Sequence, residues 1–394
     1  MEKIYNLKNG RILFYSTSHS LFWLDTQPDW PEPDYLSTDL YSLRIEISHK
    51  CNGYCRYCIV FGNNVQNFDY LHMKDIWQWL NEQSWFEKIS DIFIIGGEPT
   101  LFFDDIVYIG EHFKGKISIS TNGTLISLEM AKKLKELNIF VYISLDGPDK
   151  ADNAYRVYRN GKPMYDDIIQ GLNNLESAGT DKGIFMVATQ RTIGRIDKIM
   201  EELSNKYTIL KFGYSLPHWT ENEGGIVTPE QYQSALCAIY KNRKNIHAKI
   251  LQLNWRINCL LGGKVKRFSC SLHTVQTTLL PDKSIVRCSK IDHDPELKMI
   301  SNSDLDRGCP IEQAKMNDNS KCSKCIALSS CGGGCPYDGL RRFGTIIDQR
   351  ECVITPAVVE LAIRDVIDYF ENDNLTPSGL LDTNLIKDII NSRQ

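Results

Sequence analysis

Between residues 41 and 245 the chain alternates strand and helix signals six times. Leu43–Ser48 (LRIEIS) alternates apolar and polar residues as a half-buried strand does. Met73–Gln83 follows with a helical spacing, then Asp91–Ile95 as a short apolar strand and Asp104–Phe113 as a helix. Lys116–Ser120, Phe140–Ser144, Ile184–Ala188 and Leu210–Tyr214 are the later strands. Helical patterns over Ser127–Leu137, Asp166–Ser177, Ile193–Leu203 and Pro229–Tyr240 separate and follow them. Such alternation demands parallel strands joined by crossover helices, in an α/β fold that is either an open doubly wound sheet or a barrel-like one. Polar, glycine-bearing segments follow the strands, where both architectures place their ligand-binding loops.

The flanks differ. Residues 1–40 hold a strand pair, Arg11–Ser16 and Ser20–Leu24, and then a proline-rich stretch that breaks regular structure. Residues 250–355 carry nine of the 13 cysteines, many glycines and only short apolar runs, which reads as a small domain held by metal rather than by a large core. Residues 356–394 form a tail, with an amphipathic helix over 355–370 leading into it and a shorter one at Asn384–Ile390. A length of 394 residues fits two or three packed units. The net charge of −4 gives no footprint for nucleic acid, and no run of 18 apolar residues exists for a membrane span. The N-terminus lacks the pattern of a secretory signal, so the expected compartment is the cytoplasm, where thiols stay reduced. Clustered cysteines there read first as metal ligands rather than as a disulfide framework.

Cys51, Cys55 and Cys58 form C-x3-C-x2-C directly after the first strand of the alternating region. A structural zinc or an ordinary iron–sulfur cluster takes four protein ligands; three thiolates on a 4Fe–4S cluster leave one iron open to a small molecule. The alternative is a zinc site completed by a distant residue such as His49 or His72.

CNGYCRYC resembles the signature loop of radical S-adenosylmethionine (SAM) enzymes, with Tyr57 as the aromatic residue before the third cysteine. Gly96-Gly97-Glu98-Pro99 resembles the family's GGEP motif, Thr121-Asn122-Gly123 and Ser144-Leu145-Asp146-Gly147-Pro148 its next two strand-end loops, and Asp152 to Arg156 a further segment. The resemblance implies a partial (β/α)6 TIM-like barrel over residues 41–245. Within it Cys51, Cys55 and Cys58 hold the cluster, and Tyr57, Gly96, Gly97, Glu98, Pro99, Asn122, Ser144 and Arg156 hold SAM. Glu98 is expected to take the SAM amine, Ser144 the ribose and Arg156 the carboxylate or ribose. An electron from the cluster then cleaves SAM to a 5′-deoxyadenosyl radical that takes a hydrogen atom from the substrate. The bland readings are a solvated loop carboxylate for Glu98 and a surface ion pair for Arg156.

The remaining cysteines, Cys259, Cys270, Cys288, then Cys322-x2-Cys325-x5-Cys331-x3-Cys335, then Cys352, resemble the SPASM extension of the same family. A zinc ribbon would need a second C-x2-C pair, which the x5 and x3 spacings after Cys325 do not give. The resemblance implies two auxiliary 4Fe–4S clusters, so three clusters in all. Cys270, Cys288 and Cys335 belong to one, with Cys259 as candidate fourth ligand, and Cys322, Cys325, Cys331 and Cys352 to the other. Two departures stand out: Asp282-Lys283 replaces the usual Asp-Gly turn, and Cys259 lies farther from Cys270 than the pattern suggests, leaving an open or different fourth ligand possible. Cys237 reads as a packed helical residue, and Cys309, His218 and Trp219 have no assigned role.

Enzymes of this type mostly modify peptides or proteins. The expected function is a peptide maturase that forms a crosslink, thioether or carbon–carbon, in a ribosomally made precursor, with a flavodoxin or ferredoxin as electron donor and no nucleic-acid or membrane partner. The alternatives are a sulfatase-maturating or other protein-oxidising enzyme, and a non-catalytic iron–sulfur protein. Sulfatase activators carry an aspartate base directly after the cysteine corresponding to Cys288, where this chain has Ser289-Lys290. The strands of residues 1–40 either present an edge to a leader peptide or merely cap the barrel.

Overall fold

The computed structural model describes residues 1–34, 41–58, 70–214, 227–265, 276–286, 288, 321–345, 347–372 and 379–391. The chain divides into two compact units. One joins Met1–Ser37, Thr228–Ser271 and Pro310–Gln394; the other joins Thr38–Val227 and Leu272–Cys309.

The first unit begins with three antiparallel strands, β1 (Glu2–Asn6), β2 (Ile12–Ser16) and β3 (Leu21–Leu24). Leu13, Tyr15, Phe22 and Leu24 are completely buried. The short strand Gly379–Leu380 pairs with the outer edge of β3. The helices Pro229–Lys241, Leu251–Gly262 and Glu351–Asn372 add further buried residues to its core. The first starts at a capping box in which Thr228 and Gln231 satisfy each other's backbone donors. Arg256 and Glu351, both buried, pair at 2.7 Å, and Thr355 donates to the same carboxylate at 2.5 Å.

In the second unit β4 (Ser42–Glu46), β5 (Asp91–Ile95), β6 (Lys116–Thr121), β7 (Ile139–Ser144), β8 (Lys182–Ala188) and β9 (Ile209–Tyr214) are all parallel and lie side by side in chain order. Helices Met73–Asn81, Phe103–His112, Leu128–Glu136, Tyr165–Ser177 and Ile196–Ser204 fill the crossovers. This is the partial (β/α)6 barrel that the alternation and motifs imply. Leu43, Ile45, Ile94, Ile119, Val141 and Ile143 are fully buried, while Arg44, Phe93, Ser118, Ser120, Tyr142, Ser144 and Phe185 alternate with the sheet's buried residues and are only half-buried. The sheet curls around that second face. Phe93 on β5 and Phe185 on β8 are three strands apart, a distance of about 14 Å in a flat sheet, yet their ring centroids are 6.2 Å apart. Beside β4 runs one further parallel strand, Gln276–Leu279, which turns back into Ile285–Val286. Lys283 in that turn has φ +70°, the left-handed conformation that a glycine takes without cost.

Among the described residues, no helix is long and apolar enough to cross a membrane.

Candidate functional site

The loops after β4, β5, β6 and β7 meet at the C-terminal ends of the strands. After β5, the Gly97 N–H donates to the Ser48 carbonyl at 2.7 Å and the Glu98 N–H to the Lys50 carbonyl at 2.8 Å. A Cβ on Gly97 would stand 2.2 Å from the Lys50 oxygen, and one on Gly96 (φ +149°) 2.4 Å from the Ser48 oxygen. The two glycines are therefore what lets the GGEP loop lie flat against the backbone leading into Cys51. On its other side the cysteine loop is pinned by residues 153–158. Tyr54 N–H bonds the Val157 carbonyl at 2.7 Å, and Arg56 N–H the Tyr155 carbonyl at 3.0 Å.

Glu98 is buried at 1% exposure and caps the short turn Pro99–Phe102. Its Oε1 accepts from the Thr100 N–H (3.0 Å), the Thr100 hydroxyl (2.5 Å) and the Thr121 hydroxyl (2.6 Å), and its Oε2 accepts from the Asn122 N–H at 2.7 Å. Burial raises its pKa, and these hydrogen bonds work against that rise. Asn122 donates to Asn52 at 2.8 Å and accepts from the Thr124 N–H and hydroxyl, and Asn52 donates to that hydroxyl at 2.9 Å. The Gly53 N–H points at Cys51 Sγ at 3.3 Å.

Asp146 is the second hub. It is wholly buried, and its Oδ1 accepts from Arg156 Nη2 at 2.6 Å and from the Val187 N–H at 2.8 Å. Its Oδ2 takes the Tyr57 hydroxyl. The Arg156 guanidinium lies 5.4 Å from the centre of the Tyr57 ring. Asn153 closes the turn by accepting from the Asp146 N–H and donating to the Gly147 and Asp149 carbonyls, each at 2.8 Å. Burial alone would lower the Arg156 pKa; Asp146 and, behind it, Tyr57 and Cys55 more than reverse this. Arg156 is thus no surface ion pair. Its Nε is buried with no acceptor among the described residues. Ser144 ends β7 half-buried on the inner face, and Asp152 pairs with Arg195 at 2.6 Å.

Burial, with Glu98 adding to it, pushes the Cys51 thiol up to about 12, and burial pushes the Cys55 thiol up to about 11. Both histidines of the zinc alternative are otherwise engaged: His49 Nε2 lies 3.1 Å from Glu46, and the His72 ring packs against Tyr70. Among the described residues, no three Cys, His, Asp or Glu side chains converge on a single metal ion.

In the first unit Cys322 opens a short helical turn, and the Cys325 N–H closes it at 2.9 Å. The helix Leu328–Cys331 ends in Gly332, Gly333 and Gly334, all with positive φ, which swing the chain to Cys335 at the start of helix Pro336–Phe343. A Cβ on Gly334 would meet Asp348 at 2.6 Å and Glu351 at 2.8 Å, so glycine lets this loop close on the helix that carries Cys352. Burial raises the thiol pKa of Cys322 and Cys352; Cys352 and Cys325 add to the first and Cys325 to the second, which marks the three as neighbours. Ser330 is completely buried with no partner for its hydroxyl among the described residues. Cys259 and Cys288 are buried as well. Cys270, Cys309, His218, Trp219, Ser289 and Lys290 lie outside the described residues.

Residues 45–203 match the family model of the radical SAM superfamily. This stretch is a radical SAM domain. An uncharacterized protein of Methanocaldococcus jannaschii is 32% identical over 168 residues, which is 41% of this chain and 57% of that one, so the match spans little more than half of that relative. The cysteine-type anaerobic sulfatase-maturating enzyme of Clostridium novyi is 24% identical over 323 residues, 73% of this chain and 85% of its own. In fold, the chain is similar to native anSMEcpe with bound AdoMet (TM-score 0.67, 21% identity, 85% of this chain and 100% of that one). It is also similar to Streptococcus suis SuiB bound to precursor peptide SuiA (TM-score 0.56, 20% identity, 80% and 76%). Both likenesses extend beyond the radical SAM domain, consistent with a SPASM-like C-terminal region.

The radical SAM superfamily uses SAM and a 4Fe–4S cluster, and the residues present fit both. Cys51 and Cys55 are half-buried thiols carried on one short loop after β4, a soft donor set that a bound metal would deprotonate. A cubane takes one thiolate per iron and needs no convergence on one point, unlike zinc. The Glu98 carboxylate has three donors on Oε1 and one on Oε2, which leaves Oε2 able to accept from an ammonium group. Sequence reading did not give roles to Asn52, Thr124, Asp146 and Asn153. The only signals for them were adjacency to Cys51 and membership of the TNGT, LDGP and DNAYR segments.

Proposed function

We propose that this chain is a radical SAM peptide maturase that joins two positions of a ribosomally made precursor. The observation that carries the reading is the pairing of the two cysteine sets in one chain, whose likeness in fold to anSMEcpe and SuiB covers 85% and 80% of its length. When bound, the cluster and SAM supply one-electron cleavage and hydrogen-atom abstraction. The chain's own part is positional. Cys51, Cys55 and Cys58 would hold the cluster, and the glycine pair brings Glu98 against the backbone that leads into them. Glu98, Asn122 and Ser144 bind SAM, and Tyr57, clamped by Asp146 and Arg156, walls the site. A crosslink removes two hydrogens from the substrate, and auxiliary clusters, when bound, would supply the acceptor for the second of the two electrons. Cys322, Cys325, Cys331 and Cys352 would hold one of these. The other would rest on Cys335, Cys270, Cys288 and Cys259.

The sulfatase-maturase reading has its own support in the likeness to the C. novyi enzyme. Ser289 and Lys290, where an aspartate base is expected, count against it. The first test is anaerobic reconstitution with iron and sulfide, followed by SAM and a strong reductant. Formation of 5′-deoxyadenosine supports a radical SAM enzyme, and none from a fully loaded preparation refutes it. A small peptide encoded beside the gene that loses a hydrogen pair supports the maturase. A sulfatase peptide oxidised to formylglycine supports the second reading.

A further inference from the structure

The inner face of the sheet carries a row of residues that none of the motifs accounts for. In register across four parallel strands stand Thr278, Arg44, Phe93 and Ser118. Register partners in parallel strands share a face, so these side chains line one layer of the barrel interior. The Arg44 guanidinium lies 5.8 Å from the Phe93 ring centre. It makes no hydrogen bond or ion pair with any described residue, and its Nε is enclosed without an acceptor. Beside it, Thr278 is at 0% exposure and its hydroxyl also has no partner among the described residues. Two donors on neighbouring strands are thus left unmet. Unmet donors inside a protein carry a desolvation cost of about 1–3 kcal/mol, more for a charged group. Arg44 itself is only half-buried, so its free nitrogens remain open to a ligand.

The group that answers this pair is an acceptor, and a negative one. A guanidinium fork matches a planar carboxylate in two parallel hydrogen bonds. The wall formed by Phe93, Tyr142 and Phe185, with ring centroids 4.2–6.2 Å apart, suits the methylene stem of an acidic side chain. Lys211 stands 4.3 Å over Phe185 on the same face and adds positive field. A doubly charged phosphate would find one orphan cation in this row.

We propose that Arg44 and Thr278 form a carboxylate-binding subsite inside the barrel, which anchors an acidic side chain of the substrate peptide. It rests on the peptide-substrate reading above. Arg44 lies two residues before Glu46, about 7 Å deeper along β4 than the strand end that leads to the cysteines. The anchored side chain would point inward while the reacting carbon stays near the rim.

The test uses the iron-loaded full chain without reductant. Binding of N-acetylglutamate amide, its neutral isostere N-acetylglutamine amide and inorganic phosphate is followed by ligand-observed NMR. The glutamate probe is expected to bind about tenfold or more tighter than the glutamine probe, a difference of about 1.4 kcal/mol. Arg44→Gln should abolish that preference, and Thr278→Val, which replaces the hydroxyl by a methyl group, should reduce it; iron content reports whether each variant has folded. Equal binding of the two amides, no binding of the glutamate probe, retention of the preference in Arg44→Gln, or tighter binding of phosphate would each overturn the proposal. Because no SAM is turned over, a chain that selects the carboxylate but makes no 5′-deoxyadenosine sinks the proposed function and leaves this subsite standing. The reverse outcome does the opposite.

Discussion

Asp146→Asn isolates one charge in the middle of the radical SAM domain. Asparagine keeps the shape. Its oxygen can still accept from Arg156 and from the Val187 N–H, and its amide can donate to the Tyr57 hydroxyl, which turns from donor to acceptor. What disappears is the negative charge 2.6 Å from an arginine whose side chain is 7% exposed. Breaking a buried pair by removing one partner costs about 3–5 kcal/mol, because the other charge is left uncompensated. In a unit of this size each kcal/mol moves the midpoint by roughly 2–4 °C, so Tm should fall by about 6–20 °C. Anaerobic calorimetry of the iron-free chain reads this directly. Adding Arg156→Met should restore part of the loss, since the uncompensated charge is then gone. A fall of less than about 2 °C in Asp146→Asn, or a double variant weaker than the sum of the singles, would refute the view that the pair is closed on itself by charge.

Three other outcomes follow from the same geometry. Gly97→Ala drives a methyl group into the Lys50 and His49 carbonyl oxygens, 2.2 and 2.5 Å away, and neither backbone can yield cheaply. The GGEP loop should lift and the reconstituted chain should lose most of the iron of the Cys51 cluster; full iron content by chelation assay would contradict this. Ser330→Ala removes a buried hydroxyl whose acceptor, on this reading, is a sulfur of the cluster on Cys322, Cys325, Cys331 and Cys352. Hydrogen bonds to cluster sulfurs favour the reduced state, so the potential should shift negative in a chain that also lacks Cys51, Cys55 and Cys58; an unchanged titration would exclude the contact. The Arg11 guanidinium holds the Asp25 carboxyl below its ordinary 3.8. Its folded pKa is depressed, so its contribution is complete above the ordinary value and is lost as pH falls through the lowered one. At this half-exposed pair it is at most about 1 kcal/mol. The protection factors of the β2 and β3 amides, measured against the intrinsic exchange rate at each pH, should fall at acid pH in the parent and already be lower at neutral pH in Asp25→Asn.

How much of this site was legible in the sequence depends on how far apart its partners lie. The cysteine loop, the glycine pair and the strand-end asparagine could be read because each acts within a few residues of the strand that positions it. Strand–helix alternation fixes where such loops must fall. β1 was missed because EKIYN is mostly half-exposed and shows no strong alternation. Gln276–Leu279 was missed because four residues in a cysteine-rich stretch carry little periodicity and their pairing partner, β4, lies more than 200 residues earlier. The Asp146 hub was hidden for the same reason: Tyr57 is 89 residues from it and Val187 is 41. The consequence reaches Arg156. Motif order alone points it at the cofactor, yet one of its donors is on Asp146 and its guanidinium is buried under Tyr57. A substitution of Arg156 that abolished activity would therefore not by itself establish a cofactor contact. Only if iron content and Tm were kept while SAM affinity fell could the loss be assigned to binding rather than to the collapse of the Asp146 hub.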